Sequence, residues 1–372
     1  MTDNLYCSMI HGGLNIDLKD SRPWIQACCL RDDRFPIELG KEFWSDPALL
    51  PLRNKNLANQ WDSGCSNCYN LEKRGYQSFR QGMNNGLEIT GQTELSGPAR
   101  LDIMFDISCN LACRTCGVHS STFWQKHLKD IGEWKSPIFS PRKSQEILST
   151  LATLNLENLR QVVFCGGETL LGQEYWEVAR WITQNMPDAK QNLTLCFQTN
   201  GTRNINKKYY SIIERCKLVK LHVSIDGINE QFEYLRWPAS WNQVIDNLLT
   251  LNQELPGNVM FLIEQTISIF NVLYLAQVER WKQESFSHNR ANDPVDLTRH
   301  LAKGEFCLDN CSQELRDLME ARSLMGLIDH GWKEKPYAIK SMIESIKKFD
   351  LHRKQSFESV FPEAFDCFKR FW

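Results

Sequence analysis

The chain has 372 residues, of which 42% are hydrophobic and 24% charged, as in an ordinary globular protein of two or three domains. Its net charge of −2 argues against a nucleic-acid or anionic-membrane partner, and it has no apolar run of about 18 residues. The first residues lack the basic and apolar regions of a signal peptide, and the 14 cysteines of such a chain indicate metal ligands or free thiols. We therefore expect a cytoplasmic protein.

Residues 1–95 contain five cysteines and few periodic segments, which suggests a fold held together by metal. Cys7, one of Cys28 or Cys29, and the pair Cys65 and Cys68 make a set of four thiolates. Adjacent side chains on a strand point to opposite faces, so we expect either Cys28 or Cys29 to be a ligand and the other to pack. Thiolates alone do not distinguish zinc from an iron–sulfur cluster.

The next elements lead to a second group of thiols. A helix is predicted over Tyr69–Asn84, and the glycines of Leu87–Arg100 indicate a linker. Alternating apolar residues then predict a strand over Leu101–Ser108.

That strand ends in Cys109, Cys113 and Cys116, which form a C-x3-C-x2-C loop. Thiolates at such short spacing converge on a metal centre. A four-iron cluster normally takes four cysteines, so three would leave one iron open for a substrate or cofactor. The alternative is a zinc site of these three thiolates and His119.

Further strands alternate with helical segments, and this alternation predicts a parallel sheet. Several strands end in polar residues and a glycine, which is typical of the ligand-binding edge of an α/β barrel. A sixth strand is expected within Ser287–Leu297. The other four predicted strands are Leu159–Phe164, before Gly166-Gly167-Glu168; Leu193–Gln198, before Asn200; Leu218–Ser224, before Asp226; and Val259–Ile269.

The cysteine loop, Gly-Gly-Glu, Thr-Asn-Gly and Ser-Ile-Asp-Gly, in this order, resemble the radical S-adenosylmethionine (radical SAM) enzymes over roughly residues 100–271. The resemblance implies a four-iron four-sulfur (4Fe-4S) cluster on the three loop cysteines. It also implies that S-adenosylmethionine binds through Gly166, Gly167 and Glu168, which take its methionine amine, and near Asn200 and Ser224, the latter at the ribose. Asp226 is a candidate proton acceptor for the substrate or a residue that holds a loop.

The amino-terminal cysteines resemble the twitch or SPASM-like auxiliary-cluster domains of the same enzymes, although such domains usually follow the barrel. This likeness implies a second, auxiliary 4Fe-4S cluster on Cys7, Cys28, Cys65 and Cys68. Zinc remains the alternative for this set.

The fold implied is α/β, a partial (β/α)6 TIM-like barrel. We expect an irregular cysteine-rich domain at 1–95, the barrel at 96–297 and a helical segment at 298–372 that packs on it. A second auxiliary cluster at Cys307, Cys311 and the distant Cys367 would lack an identifiable fourth ligand, so these thiols are expected to be buried or free.

The activity implied is reductive cleavage of S-adenosylmethionine to a 5′-deoxyadenosyl radical, which takes a hydrogen atom from a substrate. A reductant such as flavodoxin or ferredoxin is expected. We favour oxidation, cross-linking or epimerisation of a peptide or protein residue, because an open barrel admits a chain. The alternatives are a dehydrogenase of a sugar or other small metabolite, a zinc-stapled binding scaffold, and an iron–sulfur electron carrier, which normally closes all ligand positions.

Overall fold

The computed structural model describes residues 5–19, 22–73, 75–87, 95–140, 142–286, 288, 294–324 and 332–372. The strands within these residues are β1 Gly13–Asp17, β2 Trp24–Gln26, β3 Phe35–Pro36, β4 Arg100–Met104, β5 Gln161–Cys165, β6 Thr194–Thr199, β7 Leu218–Ser224, β8 Val259–Ile267 and β9 Asp296–Leu301. The helices are α1 Ser8–Gly12, α2 Leu50–Leu57, α3 Ser66–Lys73, α4 Phe79–Leu87, α5 Thr122–Asp130, α6 Ser144–Leu151, α7 Gln173–Asn185, α8 Ala189–Asn192, α9 Tyr210–Ile213, α10 Asn229–Leu235, α11 Trp241–Glu254, α12 Leu275–Ser285, α13 Gln313–Ala321, α14 Pro336–Arg353, α15 Phe357–Val360 and α16 Pro362–Asp366. The fold is therefore mixed α/β.

The chain forms two compact units. The first contains residues 1–108, 139–198 and 206–220, and the second contains residues 109–138, 199–205 and 221–372.

In the first unit the strand order is β3-β2-β1-β4-β5-β6. Strands β1, β4, β5 and β6 run parallel, whereas β2 and β3 pair antiparallel. Leu101, Val162 and Leu195 lie side by side across β4, β5 and β6 and are fully buried. The amino-terminal strands thus extend the sheet that carries the predicted β4–β6.

In the second unit the order is β7-β8-β9, and the unit boundary falls within β7. Buried and half-buried residues alternate along β7 and β8, as expected for strands with one apolar face. The carboxyl end of β8 shares a core with the carboxy-terminal helices, in which Phe270, Leu315, Ile343 and Phe357 are buried. The helical tail is thus packed against this strand end.

The five strands predicted with named bounds are confirmed within a few residues. The sixth begins at Asp296, and positions 287 and 289–293 of its predicted range lie outside the described residues. The single helix predicted over Tyr69–Asn84 was wrong, because the structure has two helices, α3 and α4. Between them Gly75 has a φ of +78°, a left-handed conformation that interrupts a helix.

The middle of the predicted linker, residues 88–94, lies outside the described residues. The predicted domain limits at residues 95 and 297 stay predictions. No helix in the described part of the chain has the length and apolar character needed to cross a membrane.

Candidate functional site: two sets of thiols

The start of helix α5 orders the C-x3-C-x2-C loop. Ser121 caps this helix by accepting hydrogen bonds from the N–H groups of Phe123 and Trp124, and its Oγ donates to the carbonyl of Leu111 at 2.6 Å. The Trp124 indole donates to the carbonyl of Cys113 at 2.9 Å. Two side chains that follow the loop in the sequence therefore hold its backbone, because the Ser121 hydroxyl and the Trp124 indole donate hydrogen bonds to loop carbonyls.

The segment that follows α10 pairs with the loop like a short strand. Ala112 donates its N–H to the carbonyl of Trp237 at 2.8 Å, and Arg114 donates to that of Leu235 at 2.7 Å. Arg236 lies between these two bonds and is buried, with Nη1 3.9 Å from the Cys113 sulfur. Its Nη2 lies 2.9 Å from Oδ2 of Asp226. A fixed cation therefore adjoins one of the three loop thiols.

The loop thiols differ in exposure but influence one another. Cys113 is buried, Cys109 is half-buried and Cys116 is exposed. Burial raises the pKa of Cys113, the Arg236 cation opposes this, and the thiols of Cys116 and Cys109 raise it further. The interaction of Cys113 with both other loop thiols, beside a cation, fits an iron–sulfur cluster with three thiolate ligands. No three His, Cys, Asp or Glu side chains in the described residues are arranged as ligands of a single metal ion.

The Gly-Gly-Glu segment is fastened to the chain just before the loop. Gly167 donates its N–H to the carbonyl of Asp106 at 3.2 Å, and Glu168 donates to that of Ser108, the residue before Cys109, at 2.8 Å. Gly166 has a φ of +131°, and a Cβ there would lie 2.1 Å from the Asp106 oxygen. A Cβ at Gly167 would lie 2.2 Å from the Ser108 oxygen. Both positions therefore require glycine.

The Glu168 side chain is held inside the first unit. It is 1% exposed, and its Oε1 accepts the N–H of Leu170 at 3.0 Å. A buried carboxylate at a strand end is suited to bind an ammonium group.

Asn200 belongs to a hydrogen-bond network with the cysteine loop. Its Nδ2 donates to Oδ1 of Asn110 at 3.0 Å and lies 3.8 Å from the Cys109 sulfur. The Thr202 hydroxyl donates to Oδ1 of Asn200 at 2.6 Å. The structure thus brings Asn200 to the first loop cysteine.

Asp226 is enclosed by neighbours within the second unit. It is 1% exposed, and its Oδ1 accepts the N–H of Thr266 at 2.7 Å, while Oδ2 faces Arg236. The Asn271 amide donates to the Asp226 carbonyl at 2.7 Å. These contacts hold Arg236 and the ends of β7 and β8, so a loop-holding role accounts for all of them.

Ser224 ends β7 and is half-buried. Side chains two residues apart on a strand share a face, which places His222 on the face of Ser224. His222 Nδ1 lies 2.7 Å from Oε1 of Glu264 on β8, and His300 on β9 lies 3.9 Å from the same oxygen. Burial opposes ionisation of Glu264, but hydrogen bonds from the two imidazoles lower its pKa to about 2. Sequence reasoning did not single out these residues, because the three strands are separated along the chain.

The amino-terminal thiols Cys7, Cys28, Cys65 and Cys68 line one cavity in the first unit. Cys28 is buried, whereas Cys29 is exposed and interacts with the buried Asp102. Burial, opposed by backbone N–H groups of α1 and aided by the charges of Cys65 and Cys68, raises the pKa of Cys7 to about 11. The cavity thus gathers the four thiols of the predicted set.

Two arginines adjoin this cavity, and each is paired with acidic groups. Arg31 Nη1 lies 3.1 Å from the Cys65 sulfur, and its guanidinium bonds Asp33 and Asp62 at 2.6–2.8 Å. Arg80 bonds Glu72 through Nε at 2.9 Å and through Nη2 at 2.6 Å. Arg31 was not anticipated, since nothing local distinguishes it from a surface arginine.

A family model matches the segment that contains the loop. Residues 107–271 match the model of the Radical SAM superfamily. The chain carries a radical SAM domain. The resemblance seen in the loop and strand-end motifs is confirmed at the level of this domain.

No curated protein matches the chain. Among solved structures, anSMEcpe with bound AdoMet and Kp18Cys peptide is 17% identical at a TM-score of 0.39, over 67% of this chain and 59% of that one. The chain thus spans about three fifths of that protein's length. SuiB of Streptococcus suis bound to precursor peptide SuiA is 12% identical at a TM-score of 0.38, over 96% of this chain and 74% of that one.

Proposed function

We propose that the chain reductively cleaves S-adenosylmethionine and uses the 5′-deoxyadenosyl radical to take a hydrogen atom from a peptide or protein residue. The observation that supports this most is the attachment of the Gly-Gly-Glu segment. The backbone N–H of Glu168 donates to the carbonyl of Ser108, so the predicted amine-binding segment is attached to the residue that precedes Cys109 in the chain.

The proposed roles follow the resemblance residue by residue. Cys109, Cys113 and Cys116 would hold a 4Fe-4S cluster, which supplies one electron when bound. Gly166, Gly167 and Glu168 would bind the methionine amine, because glycines expose backbone groups and the carboxylate offsets an ammonium charge.

Asn200 and Ser224 would complete the cofactor site near the sugar. The network that joins Asn200 to Asn110 supports its share of this role, since it fixes the amide beside Cys109. Asp226 stays a candidate for the substrate proton, in competition with the loop-holding contacts described above.

We also propose that Cys7, Cys28, Cys65 and Cys68 hold an auxiliary 4Fe-4S cluster. Their common cavity supports a shared centre, and the Arg31 contact to Cys65 would stabilise a thiolate. The burial of Cys28 and exposure of Cys29 favour Cys28 as the ligand. A zinc ion would use the same thiolates, and metal analysis distinguishes the two.

The exposed edge of the sheet supports a peptide or protein as the substrate. Strand β9 is the last strand of the sheet order, and most of its residues are exposed. An edge strand offers backbone groups to an extended peptide. A small sugar or metabolite would have no need of this edge, which makes it the weaker candidate.

The test is anaerobic turnover of the reconstituted protein with dithionite or a flavodoxin as reductant. We expect 5′-deoxyadenosine from S-adenosylmethionine, and none from the Cys109→Ala/Cys113→Ala/Cys116→Ala variant. Stimulation by candidate peptides, with a matching mass change in the peptide, supports the substrate class. Stimulation by an amino sugar but by no peptide would contradict the peptide substrate and favour the alternative, a dehydrogenase of a sugar or other small metabolite.

A further inference from the structure

An unusual buried cation lies at the end of helix α14. Arg353 is 6% exposed, and its guanidinium carbon lies 4.7 Å from the ring centre of Trp124, 4.9 Å from Trp237 and 5.1 Å from Phe349. Within the described residues, none of its three side-chain nitrogens has a hydrogen-bond partner. A cation removed from water costs free energy, which the faces of aromatic rings offset in part.

Two residues of this cage are hydrogen-bonded to the cysteine loop. Trp124 donates its indole N–H to the carbonyl of Cys113 at 2.9 Å, and the backbone carbonyl of Trp237 accepts the N–H of Ala112 at 2.8 Å. The Arg353 charge also interacts with the Cys113 thiol. The caged cation therefore lies behind the part of the loop that carries the second cysteine.

A second contact joins the same helix end to the loop. Arg114, between Cys113 and Cys116, has a fully buried side chain and pairs with Asp350. It also donates to Oε1 of Gln355 at 3.1 Å. The helix end thus also contacts the loop through Arg114, the residue that follows Cys113.

The three arginines around the loop differ in their compensation. Arg114 faces Asp350 and Arg236 faces Asp226, whereas Arg353 has rings around it and, within the described residues, forms no ion pair or hydrogen bond with a carboxylate. Burial and, to a smaller extent, the neighbouring Arg114 cation lower the pKa of Arg353 to about 9, so Arg353 keeps its charge at neutral pH. Its positive field is consequently the least neutralised of the three.

We propose that Arg353 is a positioning residue that raises the reduction potential of the cluster at Cys109, Cys113 and Cys116. An electron added to the cluster is stabilised by a nearby positive charge in a water-poor environment, and net charge is one of the factors that set such potentials. The carboxy-terminal helix, outside the matched residues 107–271, is then part of the cluster site. This inference rests on the proposed function, because it assumes the cluster.

The test is a redox titration of the reconstituted full chain, followed by electron paramagnetic resonance. The signal to follow is the one that changes when S-adenosylmethionine is added, since only a cluster with an open iron binds it. Arg353→Met keeps an unbranched apolar chain in the aromatic cage and removes the charge, whereas Arg353→Lys retains the charge.

We expect Arg353→Met to lower the equilibrium constant for cluster reduction about tenfold, which is about 59 mV for a one-electron couple. Arg353→Lys should stay close to wild type. Arg316→Met is the matched control, because Arg316 stacks on Trp332, at 4.8 Å, in the same carboxy-terminal segment. Arg353→Gln gives the same reading if the methionine variant does not fold.

A neutral variant that keeps its iron and titrates at the wild-type potential would overturn the role of Arg353 and leave the proposed function intact. A wild-type protein with no signal that responds to S-adenosylmethionine would overturn the proposed function itself.

Discussion

The two sets of thiols differ in number, exposure and surrounding charge. The amino-terminal set has four cysteines around one cavity, and both neighbouring arginines are paired with carboxylates. The loop set has three cysteines, one of them exposed, and of its three neighbouring arginines one, Arg353, lies among aromatic rings without an ion pair. Four ligands close a centre, whereas three leave a position open for a substrate or cofactor. The first arrangement suits a structural or electron-transfer centre and the second suits catalysis.

The charges of the neighbouring arginines also distinguish the two sets of thiols. Arg31 and Arg80 are each neutralised locally, so they contribute order more than net field. Arg353 adds positive charge beside the loop at a cost in desolvation, which is reasonable only where the charge has a use. The predictions below separate the two sets experimentally.

The largest expected effect concerns the amino-terminal centre alone. Cys28→Ser should remove that centre and its iron, because Cys28 lines the cavity, whereas Cys29→Ser should keep it, because Cys29 is exposed. Iron and zinc analysis of the two reconstituted variants is the measurement. Metal loss in Cys29→Ser alone would mean that the wrong member of the pair was chosen.

Gly167→Ala should affect the loop site alone. The new Cβ would lie 2.2 Å from the backbone oxygen of Ser108, so the Gly-Gly-Glu segment must shift. A displacement of this kind lowers the rate of 5′-deoxyadenosine formation by roughly a hundredfold. Gly257→Ala, which meets open space, is the control. A Gly167→Ala variant with wild-type activity would show that this close approach has no role in cleavage.

Glu168→Gln should weaken S-adenosylmethionine binding about 30-fold, since it removes a charge-assisted hydrogen bond worth about 2 kcal/mol. Equilibrium dialysis of the reconstituted protein measures this, and the visible absorption of the cluster should not change. Glu157→Gln, on an exposed residue, is the control. Unaltered affinity in Glu168→Gln would remove this residue from the cofactor site.

Glu72→Gln should lower the free energy of unfolding by about 1–2 kcal/mol, because it leaves Arg80, which is 4% exposed, without its carboxylate. Although burial raises the pKa of Glu72, hydrogen bonds from Arg80 and Ser78 lower it below its usual value. The pair's stabilisation is thus present above about pH 4.5 and is lost as the pH falls through the lowered pKa.

Urea unfolding between pH 7 and pH 3 measures both effects. The acid-dependent loss should be smaller in Glu72→Gln than in wild type. Glu38→Gln breaks an exposed pair with Lys41 and should have little effect. Equal stability of Glu72→Gln and wild type at pH 7 would mean that the pair does not support the cavity.

The sequence was most informative where the signal is local. Strands β4–β8 follow from alternating apolar residues, and the loop and Gly-Gly-Glu motifs follow from residues a few positions apart. The strand β1 was missed because its parallel partner β4 lies far along the chain.

The residues that distinguish the two thiol sets depend on distant contacts. From the sequence, Arg353 is an ordinary basic residue in the last turn of a helix, where the helix dipole stabilises cations. Its cage joins α14 to Trp124 and Trp237, more than a hundred residues away in the chain. Arg236 likewise reaches Cys113 only through folding.

The most direct test of two centres is iron and sulfide content after anaerobic reconstitution, in wild type and in the Cys109→Ala/Cys113→Ala/Cys116→Ala variant. Two clusters predict about eight irons per chain, falling to about four in the variant. About four irons falling to none, with zinc retained, would make the amino-terminal set a zinc site and contradict the auxiliary cluster.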